Sequence, residues 1–393
     1  MKKILILGIG SAQVDAINFC KQIGLEVHAC SNSENGAGRG LVDAFEIIDI
    51  KDVEKVYQYA KKNKIDIVYS VGSDIAMPTT CKGSERLKLP HFVSSITADI
   101  CKNKQLMREH LGSDFRWNPK YLSISNIEDI EKWLIYPCII KPVDSQGQRG
   151  VFLLKNKKDF FEYYPKSLKF SNSGMVILEE YINGQEISVN VHIVNKNIAF
   201  FQTTDRITFD EYPGGLVKEH RIPSEFSVGW EEEISELVRT TIERLGIKNG
   251  PAYFQIKISK QGPKLIEVAP RLDGCHMWKL IKAFCRVDLL EAAFRHLLQE
   301  DLEEIFERKE GTKKSVLLRF VCEKPEMKVK RENYDVCNCE NVYWYYEDDE
   351  IVRSINGYFE KIGYYLEETK ADEVLWSGSH KEICTNYFRD TDI

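Results

Sequence analysis

Residues 252–279, AYFQIKISKQGPKLIEVAPRLDGCHMWK, constrain the fold more than any other part of the chain. Apolar and polar residues alternate with period two through AYFQIKI and again through KLIEV, the pattern of half-buried strands. Gln261-Gly262-Pro263 supplies a turn between them, so the segment reads as an antiparallel hairpin. Gln255 and Glu267 fall on its two strands at polar positions that can face each other. Two oxygen donors on neighbouring strands make a cradle for Mg2+ or Mn2+. Arg271 follows four residues after Glu267, beyond Pro270, where its guanidinium fork can meet a phosphate carried by that metal. By itself the segment reads equally well as an ordinary hairpin with one exposed Glu and one exposed Gln, so partners elsewhere must decide.

Two such partners lie upstream. In YPCIIKPVDSQGQRGV, residues 136–151, an apolar strand delivers Lys141 and Pro142 ends the pairing. Ser145, Gly147 and Gly150 then form a flexible polar loop whose backbone amides can wrap a phosphate. In MVILEEYINGQEISVNV, residues 175–191, a strand runs into Glu179 and Glu180, breaks at Asn183-Gly184 and resumes with Glu186. Carboxylates here can accept hydrogen bonds from an adenine amino group and from ribose hydroxyls. Taken singly, each motif is also readable as a solvated strand end or an exposed glycine turn.

In chain order stand Lys104, Lys141 with its Gly/Ser loop, Glu179 to Glu186, then Gln255, Glu267 and Arg271. This series resembles the ATP-grasp superfamily of the carboxylate-amine ligase type, over roughly the first three hundred residues. It is similar to stand-alone amino-acid ligases and to proteins like the large chain of carbamoyl-phosphate synthetase. Members hold ATP between two α+β lobes and make acyl phosphates. The resemblance implies that Lys104 and Lys141 contact the ATP phosphates and that Arg271 and Lys141 act in catalysis. It implies that Ser145, Gly147 and Gly150 belong to a mobile loop over the phosphates. Glu179, beside Glu180, would take the adenine amino group, Ile182 the base edge through its backbone, and Glu186 the ribose. Gln255 and Glu267 would hold the Mg2+. Two positions depart from the family pattern: many relatives have an acid at Gln255 and an asparagine at Ala269. Mg2+ keeps several waters, so water or substrate can replace the missing asparagine oxygen.

The amino terminus reads as a βαβ unit: KKILIL, a Gly8/Gly10 turn, a helix burying Ala16, Ile17 and Cys20, then EVHACSN. A dinucleotide site is set aside, because Gln13 replaces the third glycine of GxGxxG and the second strand ends in Ser31-Asn32 without a carboxylate. IDIVYSVGSDIAMPTTCKGSERLKLP continues the doubly wound pattern. The expected fold is therefore mixed α/β and α+β. A Rossmann-like domain occupies residues 1–100, and a two-lobed ATP-grasp domain residues 101–305, with its nucleotide lobe near 120–185. A small C-terminal αβ region spans 306–393, ending in an amphipathic helix and carrying no catalytic motif.

Composition narrows the function classes. A chain of 393 residues, 43% hydrophobic, can bury two or three cores. A net charge of -6 without a long basic run argues against nucleic acid as a partner. No stretch reaches the ~20 apolar residues of a membrane span, and KKILILGIG is a first strand rather than a signal peptide. Eleven cysteines occur as singles apart from Cys337 and Cys339, too close and too isolated for a zinc ribbon; reduced thiols of a cytoplasmic enzyme are expected. The resemblance also implies a homodimer.

The chemistry expected is ATP-dependent joining of a small carboxylic acid to an amine through an acyl phosphate. A bicarbonate-activating enzyme and a non-catalytic ATP-binding protein remain open alternatives, the latter supported by Ala269. Arg206, Lys218 and His220, within the polar segment 203–224, and His276 are the candidates for holding substrate.

Overall fold

The structure is a computed structural model that describes residues 1–209, 215–307, 311–312, 314–334, 336, 342–354 and 359–369. Strand β1 (Lys3–Leu7) is joined by α1 (Ser11–Gln22) to a parallel neighbour, β2 (Glu26–Ser31). With β3 (Ala44–Ile47), α2 (Val53–Asn63) and β4 (Ile67–Tyr69) they complete a four-stranded parallel sheet in the order β3-β2-β1-β4. Ile4 and Ile6 enter one hydrophobic core while Leu5 and Leu7 enter another, which is why KILIL is apolar without alternation. At the glycine turn, Gln13 Oε1 accepts from the Gly10 amide at 2.9 Å and Gln13 Nε2 donates to the Val71 carbonyl. The glutamine thus packs against the turn where a dinucleotide pyrophosphate would approach.

Helices α3 (Met77–Leu87), α4 (Ser95–Lys102) and α5 (Lys104–Leu111) lead out of this sheet. Asn103 caps α5, its side chain accepting from the amides of Gln105 and Leu106. A second sheet follows, with β5 (Tyr121–Ile124), β6 (Cys138–Pro142), β7 (Phe152–Leu154), α6 (Lys157–Leu168) and β8 (Val176–Glu180). Its order is β5-β8-β6-β7, every pairing is antiparallel, and it has its own small core around Ile140, Phe160 and Leu178.

The third sheet is the largest. It uses β9 (Gly184–Val194), β10 (Asn197–Thr208), β11 (Val217–Ile222), β12 (Gly250–Ser259) and β13 (Gly262–Ala269), with α7 (Glu231–Leu245) between β11 and β12. Helix α7 buries Ile234, Leu237, Val238, Thr241, Ile242 and Leu245 along one stripe, starts with three glutamates and ends at left-handed Gly246. Each buried Leu or Ile of that stripe contributes about 1.5–3 kcal/mol. After α8 (Met277–Cys285), α9 (Leu289–Leu297) and α10 (Glu303–Phe306), the chain returns as β14 (Val316–Glu323), β15 (Val342–Trp344) and β16 (Glu360–Glu368). The full order is β13-β12-β9-β10-β11-β14-β16-β15.

Strand β14 pairs with β11, His220 opposite Leu318, so the described part of residues 306–393 extends the same sheet. An unpaired β11 edge would expose its ladder groups, and β14 covers it. The expected last helix, Cys337 and Cys339 lie outside the described residues. No disulfide joins the described cysteines, and no helix among the described residues is long and apolar enough to cross a membrane.

Candidate active site

The hairpin read from the sequence is present as β12 and β13, and Gln255 stands directly opposite Glu267. On its other side Gln255 pairs with Ser188 of β9. Directly opposed residues project from the same face, with Cβ atoms about 4.5–5.5 Å apart. The Gln255 Nε2 donates to Glu186 Oε2 at 2.8 Å, which turns its amide so that the carbonyl oxygen is left for another partner. Glu267 is half-buried and has no ion-pair partner among the described residues. An amide oxygen and a carboxylate so placed fit a hard divalent cation.

These two residues line a cleft together with Lys104, Lys141, Ser145, Gly147, Glu179, Glu180, Ile182 and Glu186. The cleft forms because β6 and β8 of the second sheet carry Lys141 and Glu179 on their paired ends, facing the β9 and β12 rows of the third. Lys104, at the start of α5, donates to the Ser145 carbonyl at 2.8 Å and so ties α5 to the Gly/Ser loop. Within that loop Gly147 has φ +65° and Gly150 φ +75°, and Gly150 packs between Pro142 and Phe170. Gln148 reaches across to donate to the Gly215 carbonyl at 2.6 Å, so the loop is latched onto the chain leading into β11.

Lys141 is buried and pairs with Glu179 at 2.7 Å, and Arg108 pairs with the other Glu179 oxygen at 3.1 Å. Burial would push the Glu179 carboxyl up, but Arg108 and Lys141 together hold it down to about 2. Lys141 is pushed below the usual ammonium range, chiefly by burial and then by Arg108 and Lys104, with Glu179 opposing. A phosphate at this point would supply the negative charge that this cluster of cations is short of.

The structure gives several of the expected site residues partners within the protein. Glu179 is 3% exposed, with its two oxygens engaged by Arg108 and Lys141. Glu186 is engaged by Arg206 and Gln255, with Lys257 at 3.3 Å, and is a hub of the cleft wall before any ribose arrives. Arg206 is correspondingly not a free substrate anchor: it is buried against Glu186 and donates to the Gly215 carbonyl at 3.0 Å. Arg271 does not line the cleft; its Nε and Nη2 grip the two oxygens of Asp74 at 2.7 and 2.6 Å, tying the hairpin to the first sheet's domain. Close by, Gly72 has φ +67° and an added Cβ there would sit 2.7 Å from Gly274 Cα, so only glycine permits this approach.

The remaining substrate candidates separate as well. Lys218 is exposed, its ammonium 5.8 Å from the Phe209 ring. His276 is 2% exposed, with Nδ1 3.0 Å from Asp15 and Nε2 2.8 Å from the Tyr345 hydroxyl. Both its nitrogens are therefore used in joining α1 to the C-terminal strands. His220 is wholly buried on β11 and away from the cleft lining.

Sequence reasoning missed Arg108, Gln148, Arg149 and Lys257. Arg108 is wholly buried yet sits in a short helix among charged residues, with only its four-residue offset from Lys104 to signal a shared face. Gln148, Arg149 and Lys257 line the cleft, the first two within the loop already singled out.

Residues 134–278 match the family model described as ATP-grasp domain. The chain carries an ATP-grasp domain. Around it, the chain is 24% identical over 294 residues to a formate-dependent phosphoribosylglycinamide formyltransferase of Prochlorococcus marinus, covering 71% of this chain and 72% of the relative. Among solved structures, L-amino acid ligase from Bacillus licheniformis superposes with a TM-score of 0.77 at 16% identity, covering 99% of this chain and 97% of that one. The biotin carboxylase domain of Hydrogenobacter thermophilus 2-oxoglutarate carboxylase, in complex with MgADP, ADP and bicarbonate, superposes with a TM-score of 0.74 at 15% identity, covering 94% and 86%. At these identities the superpositions establish a common fold, and the matched residues 134–278 take in β6, β7 and β8 of the second sheet and β9 to β13 of the third.

Proposed function

We propose that the ATP-grasp domain makes this chain an ATP-dependent carboxylate-amine ligase, forming an amide or peptide bond and releasing ADP and phosphate. The observation that carries the reading is the convergence in one cleft of Lys104, Lys141, the Gly/Ser loop and the opposed pair Gln255 and Glu267. Mg2+ bound between Gln255 and Glu267 would offset charge on the ATP phosphates. The names of the relatives are consistent with small-acid chemistry: one is formate-dependent, one is an L-amino acid ligase, and one was crystallised with MgADP and bicarbonate.

The residues then divide the work. Lys104 and Lys141 hold the transferring phosphate, while Glu179, itself paired with Arg108, holds Lys141 at its post. The acid's carboxylate oxygen attacks the γ-phosphorus in line as ADP leaves, a step that needs positioning and charge stabilisation more than covalent help. The amine nitrogen next attacks the acyl phosphate carbonyl, and phosphate departs with the bonding pair as the amine loses its proton. Gln148, latched to Gly215, keeps the loop over the cleft and water out, which protects the acyl phosphate from hydrolysis.

The test is release of ADP and phosphate from Mg-ATP with pooled small acids and amino acids, with and without bicarbonate, and the mass of any product. Release that requires both an acid and an amine, with a product of their summed mass less water, is expected. Release with bicarbonate and no amine would select the carboxylating reading, and ATP binding with no release in any pool would select a binding protein. A second prediction concerns Lys141→Ala, which leaves Glu179 paired with Arg108. Loss of one charged phosphate contact costs about 1.5–3 kcal/mol, so apparent ATP affinity should fall roughly ten- to hundredfold. Unaltered ATP dependence would remove Lys141 from the site.

A further inference from the structure

A second cavity, of about 180 Å3, lies away from the cleft and shares no lining residue with it. Its walls come from three places: Pro90, His91 and Phe92 between α3 and α4, Asn249 just before β12, and His296, Leu297 and Gln299 at the end of α9. Phe92 and Leu297 are buried, and the Phe92 ring stands 5.4 Å from the His296 ring at an interplanar angle of 62°. Gly250, the first residue of β12, has φ +84° and meets Phe92 so closely that an added Cβ would overlap the ring, so this wall is fixed.

The hydrogen bonds behind the wall decide what its polar atoms offer. His91 Nδ1 lies 2.8 Å from the Leu89 carbonyl, so it carries the hydrogen and donates, and Nε2 of the neutral ring is left as an acceptor. His192, 0% exposed on β9, has Nε2 3.0 Å from His296 Nδ1, while its own Nδ1 has no partner among the described residues. Burial, with His296 adding to it, pushes His192 down to about 3, so the ring is neutral with one hydrogen. An orphaned buried N–H is rarer than an under-used acceptor, which puts that hydrogen on Nε2 and makes it the donor to His296. His296, which burial also pushes below the usual imidazole range, then carries its own hydrogen on Nε2 as a donor for the cavity it lines. Asn249 Oδ1 accepts from the Asn195 amide at 2.8 Å, which leaves its Nδ2 hydrogens. Gln299 brings a whole carboxamide, and it stands at φ +62° just past α9, where glycine would be easier.

These groups select a ligand by charge and size. Among the described residues no Lys, Arg, Asp or Glu lines the cavity, so an ion would enter it uncompensated. A metal ion is opposed too: His296 offers a hydrogen rather than a lone pair, and no carboxylate or thiol among the lining residues completes a ligand set. A neutral molecule with apolar faces and a polar edge uses every group. A cavity of about 150 Å3 holds one benzene ring, so the volume here suits a single ring system with polar substituents. Carboxamides match the adjoining donor and acceptor of a base edge, as Asn and Gln do with adenine.

We propose that this cavity is a second ligand site, for a neutral aromatic heterocycle of the nucleobase class. Its faces lie against Pro90, Phe92 and Leu297, and its edge meets His91, His296, Asn249 and Gln299. The site stands independently of the ligase reading. Asn249 leads directly into β12, the strand of Gln255, which places the ligand at the root of a strand that reaches the cleft.

The experiment is calorimetry on the full chain, with and without Mg-ADP, using the common nucleobases. Toluene serves as a ring without the polar edge, and inorganic phosphate and Zn2+ as the ions. One base is expected to bind one-to-one whether or not Mg-ADP is present, about tenfold or more tighter than toluene. His296→Ala should weaken it about tenfold, and Gln299→Leu, at an exposed position that leaves the fold alone, about threefold. Lys141→Ala, in the cleft, should leave it unchanged. No base bound, a base held no tighter than toluene, or binding that Mg-ADP or Lys141→Ala removes overturns the proposal. So does affinity unaltered in both His296→Ala and Gln299→Leu, or phosphate or Zn2+ uptake that His296→Ala abolishes.

Discussion

Glu267→Gln is expected to abolish ADP formation at ordinary Mg2+ concentrations while the protein stays folded. Glu267 is half-buried and unpaired among the described residues, so the isosteric change removes charge without orphaning a partner. Its stability effect should stay within about 0.5 kcal/mol, as for surface substitutions away from networks. Loss of the carboxylate leaves Gln255 and a neutral amide to hold a divalent cation, and metal affinity should fall by at least the 10–100-fold typical of disturbed metal surroundings. A Mg2+ titration of ADP release measures the shift, and a urea melt checks the fold. Unchanged turnover across that titration would remove Glu267 from the metal site.

The largest expected stability loss belongs to Glu179→Gln. The change leaves Arg108, with a side chain 0% exposed, and Lys141 as buried cations without their carboxylate. Breaking a buried pair from one side costs about 3–5 kcal/mol, because the orphaned charge keeps its desolvation penalty. The urea midpoint should fall accordingly, and a loss below about 1 kcal/mol would contradict the pairing. The same residue predicts a pH dependence. Burial raises its carboxyl, yet Arg108 and Lys141 win and hold it at about 2, below the unfolded value near 4.3. A depressed folded value stabilises fully above the unfolded one, and that stability is lost as pH falls from about 4.3 toward about 2. The parent chain should therefore lose stability through this window, and Glu179→Gln should show a shallower slope there.

Where a motif was local, it was legible. The alternation in AYFQIKI and KLIEV with the turn signal beside them dictates the hairpin, whose turn falls at Lys260-Gln261; its even register would set Gln255 opposite Ile266, and a bulge between Gln255 and Ile256, which the sequence does not show, brings Glu267 opposite instead. The first βαβ unit followed in the same way, and Gln13 packs against the turn that a dinucleotide would need. The C-terminal region was legible as αβ, but the union of β14 with β11 was not, since an edge accepts any strand whose register and burial suit it.

The residues whose surroundings the sequence could not show were those held by a distant charge. Arg271 was placed on a phosphate because it follows a candidate metal ligand closely, yet it grips Asp74, 197 positions away. Glu179, Glu186 and Arg206 looked like open ligand groups because a sequence shows a charge without its counter-charge; folding brings Arg108 to the first and joins the other two. By itself, the sequence determined the strands, the turns and the set of chemistry-bearing residues, because alternation and turn chemistry act over a few neighbouring positions. Only the tertiary structure decided which of those residues stay available and which neutralise one another. A buried charge is satisfied by whatever opposite charge lies within a few ångströms, and long-range strand and domain packing sets that distance.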